Sequence, residues 1–216
     1  MVGARVVLET VPVKRVGRSN VLTIIDNHSV DLDLIQHGPI LDVGCRGFAL
    51  CKFFVNLGRG NRVIGMDPDR GLVPPPGVEY LQMGLSGTKQ ETSHLVLEQD
   101  PEARYVTFGK HEPDRPSIPI KCVTLPELMD QYRVFDFDLI KLNAEGVEFD
   151  ILDKLQTPVA AQIVVSFHEH TAARRGRTAV DALVGRLGKW YNVLRHEWDE
   201  RYCAGMNAWD TLMVRK

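Results

Sequence analysis

No two of the four cysteines, Cys45, Cys51, Cys122 and Cys203, stand at a C-x-x-C spacing. Neither a zinc knuckle nor a disulfide framework is therefore written into the chain, and the cysteines read as reduced intracellular thiols. There is no apolar run of the roughly 18 residues that a membrane-crossing helix needs. Residues 1–30 also lack the uninterrupted apolar core of a signal peptide. A soluble cytoplasmic protein with no membrane partner is the expectation. An excess of either charge is missing too: 26 basic against 28 acidic residues leave a formal charge of −2. That balance calls for no polyanionic partner, and no nucleic acid is expected. The single basic cluster, Ala173 to Arg177, is short enough to be a solvated loop. Nothing in the pattern specifies an oligomeric state.

What is present suits one domain, because 216 residues can be buried around a single core. Residues 1–30 read as an N-terminal leader segment, since the β-branched run over 5–13 favours an extended chain. Residues 31–216 read as the domain itself, with a loop or β-rich insertion over 88–119. Within it, Asp31 to Pro39 carries a helical turn, Ile40 to Val43 a buried strand, and Phe48 to Gly58 an amphipathic helix ending on a glycine C-cap. "NRVIGMDPD" reads as a second strand ending at Asp67. The proline-rich stretch Gly71 to Gly77 stands where a second crossover helix belongs, so that helix is short or missing. "VEYLQMGLSG" reads as a third strand running into a turn at Leu85 to Gly87. Thr124 followed by Glu127 has the spacing of a capping box. Phe137 to Leu142 reads as a fourth strand, "GVEFDILDKL" as a helix, and "AQIVVSFHEH" as a fifth, wholly buried strand. A helix over 179–187 and a closing antiparallel hairpin complete the chain.

The order strand, glycine turn, helix, strand, acidic residue is that of a nucleotide-binding βαβ unit. Gly44 permits a sharp turn and lets a ligand rest against main-chain N–H groups at the start of the following helix. The plainer alternative is a tight strand-to-helix connection. Asp67 lies about twenty residues on, at the next strand end, where a carboxylate accepts hydrogen bonds from ribose hydroxyls. The turn "DVGCRG" lacks the third glycine that a dinucleotide pyrophosphate requires, and the hairpin is foreign to a wholly parallel dinucleotide sheet. Both features favour S-adenosylmethionine as cofactor.

"LDVGCRG", "VIGMDPD", "GLSG" and, above all, "VTLPELMDQYRVFDFDLIKLNAEGVEFDIL" resemble the FkbM-type family of class I S-adenosylmethionine-dependent methyltransferases over Ile40 to His170. The resemblance implies an α/β, single-domain, Rossmann-like class I methyltransferase fold. Its sheet is seven-stranded and mostly parallel, with an antiparallel C-terminal hairpin. It further implies methyl transfer, usually to a hydroxyl, here of a small-molecule acceptor such as a sugar or natural product. By position, Asp42, Gly44, Cys45, Arg46 and Gly47 would contact the methionine end of the cofactor. Asp67, with Pro68 after it, would take the ribose, and Leu85 with Ser86 would surround the adenine. Asn143 would face the methyl donor.

Two positions depart from the family pattern: Asn143 and Pro126 each replace an aspartate. Asparagine can be neither a base nor a charged metal ligand, and no metal is expected there. The base candidates are Glu145, just past the fourth strand, and His168, at the end of the fifth, with Lys141 and Glu148 as alternates. Glu145 reads equally as a carboxylate favoured by a helix N-terminus. His168 and His170 share one strand face, but a third metal ligand at a recognisable spacing is missing. Two other functions stay open, an NAD-dependent oxidoreductase and a non-catalytic S-adenosylmethionine-binding module. Asn143 is the hint for the second.

Overall fold

The computed structural model describes residues 9–15, 18–89, 93–96, 107–109, 117–144, 146–168, 177–199 and 208–216. The chain opens with β1 (Glu9–Arg15), β2 (Arg18–Ile25) and β3 (His28–Val30), an antiparallel three-stranded sheet. A 3-10 turn over Leu32–Leu34 follows, where Asp33 N–H donates to the Asp31 side chain. Then come β4 (Ile40–Val43), α1 (Ala49–Leu57), β5 (Val63–Met66), β6 (Val78–Leu81) and β7 (Gly84–Ser86). The middle of the chain holds β8 (Ser93–Val96), β9 (Thr107–Gly109), β10 (Ser117–Ile120), β11 (Cys122–Thr124) and α2 (Leu125–Tyr132). The last third is β12 (Phe137–Leu142), α3 (Glu148–Asp153), β13 (Ala160–His168), α4 (Arg177–Leu187), β14 (Tyr191–Asp199) and β15 (Ala208–Arg215).

Seven strands form the main sheet in the order β14-β15-β13-β12-β4-β5-β6. Strands β4, β5, β6, β12 and β13 run parallel, while β15 lies antiparallel to both β13 and β14. This is the class I methyltransferase fold, closing hairpin included. Alternation along β13 shows why its sequence is almost wholly apolar. Ile163, Val165 and Phe167 enter the core on one face of the sheet, and Val164 enters the core on the other. Each such fully buried side chain contributes about 1.5–3 kcal/mol of transfer free energy.

The local signals explain the element ends. Gly58 takes the left-handed conformation and its N–H returns to Val55 O, closing α1. Thr124 and Glu127 form the reciprocal capping box that opens α2, with Thr124 N–H donating to Glu127 Oε2 at 3.0 Å. The proline-rich stretch over 71–77 contains no helix.

Two features differ from the sequence reading. Gly84–Ser86 is a short strand rather than a turn, because it pairs in parallel with β11, an element without a signal of its own. Residues 18–30, read as part of a leader, form β2 and β3, and Leu22, Ile25 and Val30 belong to the second core. The stretch read as a loop or β-rich insertion contains strands in agreement with the second alternative: β8, β9 and β10 form a separate antiparallel sheet, with β8 central.

Candidate functional site

The carboxyl edge of β4 ends in a turn whose shape is fixed by two glycines in the left-handed region, Gly44 at φ 72° and Gly47 at φ 79°. At Gly44 a side chain is excluded twice, by backbone conformation and because a Cβ would collide with the Asn143 carbonyl oxygen. At Gly47 only the conformation demands glycine, since the space around it is open. Gly44 and Cys45 donate their N–H groups to Met66 O at 2.9 and 3.4 Å. Among the described residues, the exposed Arg46 and Gly47 have N–H groups with no backbone carbonyl partner. The outward-facing part of the turn is therefore Arg46–Gly47. Cys45 instead turns its side chain into the core, where its sulfur and that of Cys51 crowd Gly65.

Beneath the turn lies a closed buried cluster. Lys141 Nζ is 2.9 Å from Asp42 Oδ1 and donates to the carbonyls of Val43 and Gly44 at 3.2 and 2.8 Å. Cys51 Sγ donates to Asp42 Oδ2 at 3.3 Å. Hydrogen bonding with Cys45, burial and the Asp42 carboxylate all push the Cys51 thiol up, so it stays protonated and unreactive. Asp42 and Lys141, both expected at the site, thus brace the turn from below. Lys141, expected as a candidate base, is held here by a carboxylate and two carbonyls.

Asp67 stands at the end of β5, facing the same turn. Its Oδ1 accepts the Asp69 N–H at 2.9 Å, and the Tyr80 hydroxyl lies 2.9 Å from its backbone carbonyl. Burial pushes the Asp67 carboxyl above the usual carboxylate range, while the Asp69 N–H and the charges of Lys141 and Arg46 oppose that rise. The structure therefore brings the glycine turn and Asp67 together. Pro68 follows, half-buried. Leu85 is fully buried in the first core, and Ser86 Oγ accepts the Thr88 N–H at 3.3 Å. Gly84, Leu85 and Ser86 are all buried.

Past β12 the chain turns again. Asn143 N–H donates to Val43 O at 3.1 Å, so the residue extends the ladder by one position beside Gly44. Its Oδ1 is buried and has no hydrogen-bond partner among the described residues. Glu148, fully buried at the start of α3, clips this turn: Oε1 accepts the Ala144 N–H at 2.8 Å and Oε2 the Gly146 N–H at 2.7 Å. The same Oε1 lies 2.9 Å from His168 Nδ1. Both oxygens of Glu148, read as an alternate base, are thus engaged by neighbouring groups. A carboxylate can only accept, so the ring proton of neutral His168 sits on Nδ1 and the other ring nitrogen is the basic one. Glu145 and His170 lie outside the described residues. Among the described residues, no group of three or more His, Cys, Asp or Glu could hold a metal.

A second set of buried polar side chains was not singled out by sequence reasoning. Ser166 on β13 pairs in register with Asp210 on β15, and His28 on β3 places Nδ1 3.4 Å from Asp210 Oδ1. The only sequence signal for Ser166 is that it interrupts the apolar run "IVVSF".

Residues 42–197 match the family described as the methyltransferase FkbM domain. The chain belongs to that family. It is therefore a methyltransferase, which answers the oxidoreductase alternative, and the glycine turn, Asp67 and Asn143 all lie within the matched residues. No curated protein matches the chain in sequence. Among solved structures, the chain is similar to the Burkholderia thailandensis 1,6-didemethyltoxoflavin-N1-methyltransferase with bound 1,6-didemethyltoxoflavin and S-adenosylhomocysteine. That similarity is 14% identity over 86% of this chain and 74% of that one, with a TM-score of 0.41. The E. cuniculi Mtq2-Trm112 complex gives 12%, 84%, 87% and 0.39 for the same quantities. P. horikoshii TYW2 in complex with MeSAdo gives 11%, 91%, 72% and 0.38. At these scores the likenesses carry no weight beside the strand order and the family match.

Proposed function

We propose that this methyltransferase uses S-adenosylmethionine to methylate a hydroxyl group of a small acceptor, with His168 as the base. The observation that carries this reading is the Glu148–His168 pair, 2.9 Å apart at the carboxyl edge of the sheet. A carboxylate that fixes the tautomer of a histidine is the arrangement of a general base, and an alcohol needs one because it is weakly acidic.

The residues present fit the cofactor. Arg46 and Gly47 offer N–H groups at the opening of α1 for the carboxylate of its methionine end, where the helix dipole favours negative charge. Asp67 is placed for the ribose hydroxyls, with one carboxylate oxygen already held by the Asp69 N–H. Asn143, against the Gly44 turn, faces the methyl-donor position. When bound, S-adenosylmethionine supplies a methyl group on a positively charged sulfur, which leaves as a neutral thioether.

The chain's own residues do the rest. The Asp42–Lys141 pair fixes the carbonyls of Val43 and Gly44, so the turn needs little rearrangement on binding. Glu148 holds the 144–146 turn and the His168 ring in one geometry. His168 takes the hydroxyl proton as the acceptor oxygen forms its bond to the methyl carbon. The Glu148 carboxylate stabilises the imidazolium that results.

The test is transfer of label from methyl-labelled S-adenosylmethionine to a panel of hydroxylated small molecules, followed by mass spectrometry of the product. The expected product carries the label as an O-methyl ether, and His168→Asn forms it far more slowly. Label found on nitrogen or carbon instead would overturn the O-methylation reading. Absence of transfer to any class of acceptor would favour the non-catalytic module.

A further inference from the structure

Three buried oxygens stand in a row across three adjacent strands. Leu142 pairs with Val165, so Asn143, one residue on, is level with Ser166. Ser166 in turn is level with Asp210. Side chains alternate along a strand, and Leu142, Val165 and Phe167 all enter the first core. Asn143 and Ser166 therefore point to the opposite face, as does Asp210, two positions from Leu212 of the second core. Strand spacing sets the row at about 10 Å from Asn143 to Asp210, long enough for one sugar-sized ring.

Each of the three keeps an oxygen with no hydrogen-bond partner among the described residues: Asn143 Oδ1, Ser166 Oγ and Asp210 Oδ2. Ser166 is 1% exposed and Asp210 2% exposed, so neither oxygen is satisfied by bulk water. Asn143 Oδ1 and Ser166 Oγ are the unpaired members, at a cost on the order of 1–3 kcal/mol each, while Asp210 Oδ2 is met by Arg195 Nε at 3.8 Å, beyond hydrogen-bond reach. The row begins beside Gly44, where the methyl donor is placed. It ends under β3, whose His28 bonds Asp210.

We propose that Asn143, Ser166 and Asp210 are the acceptor-binding row, and that they select a neutral, polyhydroxylated, sugar-like ligand. The inference rests on the reading of the β4–β12 edge as the methyl-donor site. The three oxygens accept hydrogen bonds and the Ser166 hydroxyl and Asn143 amide can also donate, so neighbouring hydroxyls, each both donor and acceptor, match the row. Charge narrows the class further. Asp210 repels an anion, and the permanent charge of Arg195, whose Nε lies 3.8 Å from Asp210 Oδ2, opposes a cation. A neutral polyol meets neither penalty, and a flat phenol leaves most of the row unsatisfied.

The test is ligand-observed NMR titration of the protein saturated with S-adenosylhomocysteine. The ligands are neutral methyl glycosides, with glucosamine as the cationic probe, glucose 1-phosphate as the anionic one and catechol as the phenolic one. A neutral glycoside is expected to bind most tightly. Ser166→Ala should weaken it roughly fivefold to tenfold, and Asp210→Asn roughly tenfold or more, with S-adenosylhomocysteine affinity unchanged. Because Ser166 Oγ has no partner to lose, the melting temperature of ligand-free Ser166→Ala should not fall. That variant carries the test if Asp210→Asn proves unstable. Tightest binding of a charged or phenolic probe, glycoside affinity unmoved by Ser166→Ala, or a melting temperature several degrees lower would each overturn the proposal. Binding of S-adenosylhomocysteine without any glycoside overturns this inference alone; loss of both removes the methyl-donor reading as well.

Discussion

At the β4 side of the sheet edge, Asp42, Lys141 and Cys51 are bonded to one another and to the Val43 and Gly44 carbonyls. One position further out, from β12 to β15, Asn143 and Ser166 each keep a buried oxygen without a hydrogen-bond partner among the described residues, and Asp210 Oδ2 is met by Arg195 Nε at 3.8 Å. The first region is held by an ion pair and hydrogen bonds among its own groups, so its turn holds its shape before any ligand arrives, as preorganised sites require. The second retains hydrogen-bonding capacity at a cost in stability. A fixed cofactor seat beside an unsatisfied acceptor row suits an enzyme with one invariant donor and one selective substrate.

Substitutions should separate the two regions. His168 belongs to the open side and is held there by Glu148, so His168→Asn should have the largest effect. We expect kcat to fall on the order of 10²–10⁴-fold while S-adenosylhomocysteine affinity, measured by calorimetry, stays within twofold. Lys141→Met, within the closed cluster, leaves the Asp42 carboxylate buried without its cation. Chemical denaturation should report a loss of about 3–5 kcal/mol; a loss below about 1 kcal/mol would mean that the cluster is not a closed unit. Asp67→Ala should weaken cofactor binding by roughly 2–3 kcal/mol, the worth of charge-assisted hydrogen bonds, with little change in acceptor affinity.

Asp67 also gives the comparison a pH dependence. Burial raises its pKa, so the folded protein binds this proton more tightly than the unfolded chain does. Its contribution to stability therefore falls as pH rises from the ordinary carboxylate range through the raised value. Asp67→Asn, which retains the oxygen that accepts the Asp69 N–H, should be more stable than the parent at neutral pH. The gap should close on acidification, and thermal melts across pH 3–7 would reveal it, the range being about that over which carboxylates titrate. The smallest effect should come from Thr124→Ala, which removes the α2 cap outside both regions at a cost of about 1 kcal/mol, with kcat unchanged.

The closed region was far more legible in the sequence than the open one. Gly44, Gly47, Asp67 and the strands over 40–43 and 137–142 announce themselves through spacing along one stretch of chain, because a βαβ unit brings nearby residues together. The Thr124–Glu127 capping box is a signal of the same local kind. The Asp42–Lys141 pair joins residues 99 positions apart only through parallel register, so the sequence offers the lysine as a candidate base without showing its partners. Ser166, Asp210 and His28 come from three strands whose pairing no local pattern announces. Cys122–Thr124 likewise becomes a strand only because Gly84–Ser86 lies beside it.

A structure of the protein with S-adenosylhomocysteine bound tests the central claim most directly. The account predicts both ribose hydroxyls on the Asp67 carboxylate, the amino-acid carboxylate against the Arg46 and Gly47 N–H groups, and the sulfur turned toward Asn143. A ligand seated away from Asp67, or one whose sulfur points away from Asn143 and the Ser166–Asp210 row, would contradict it.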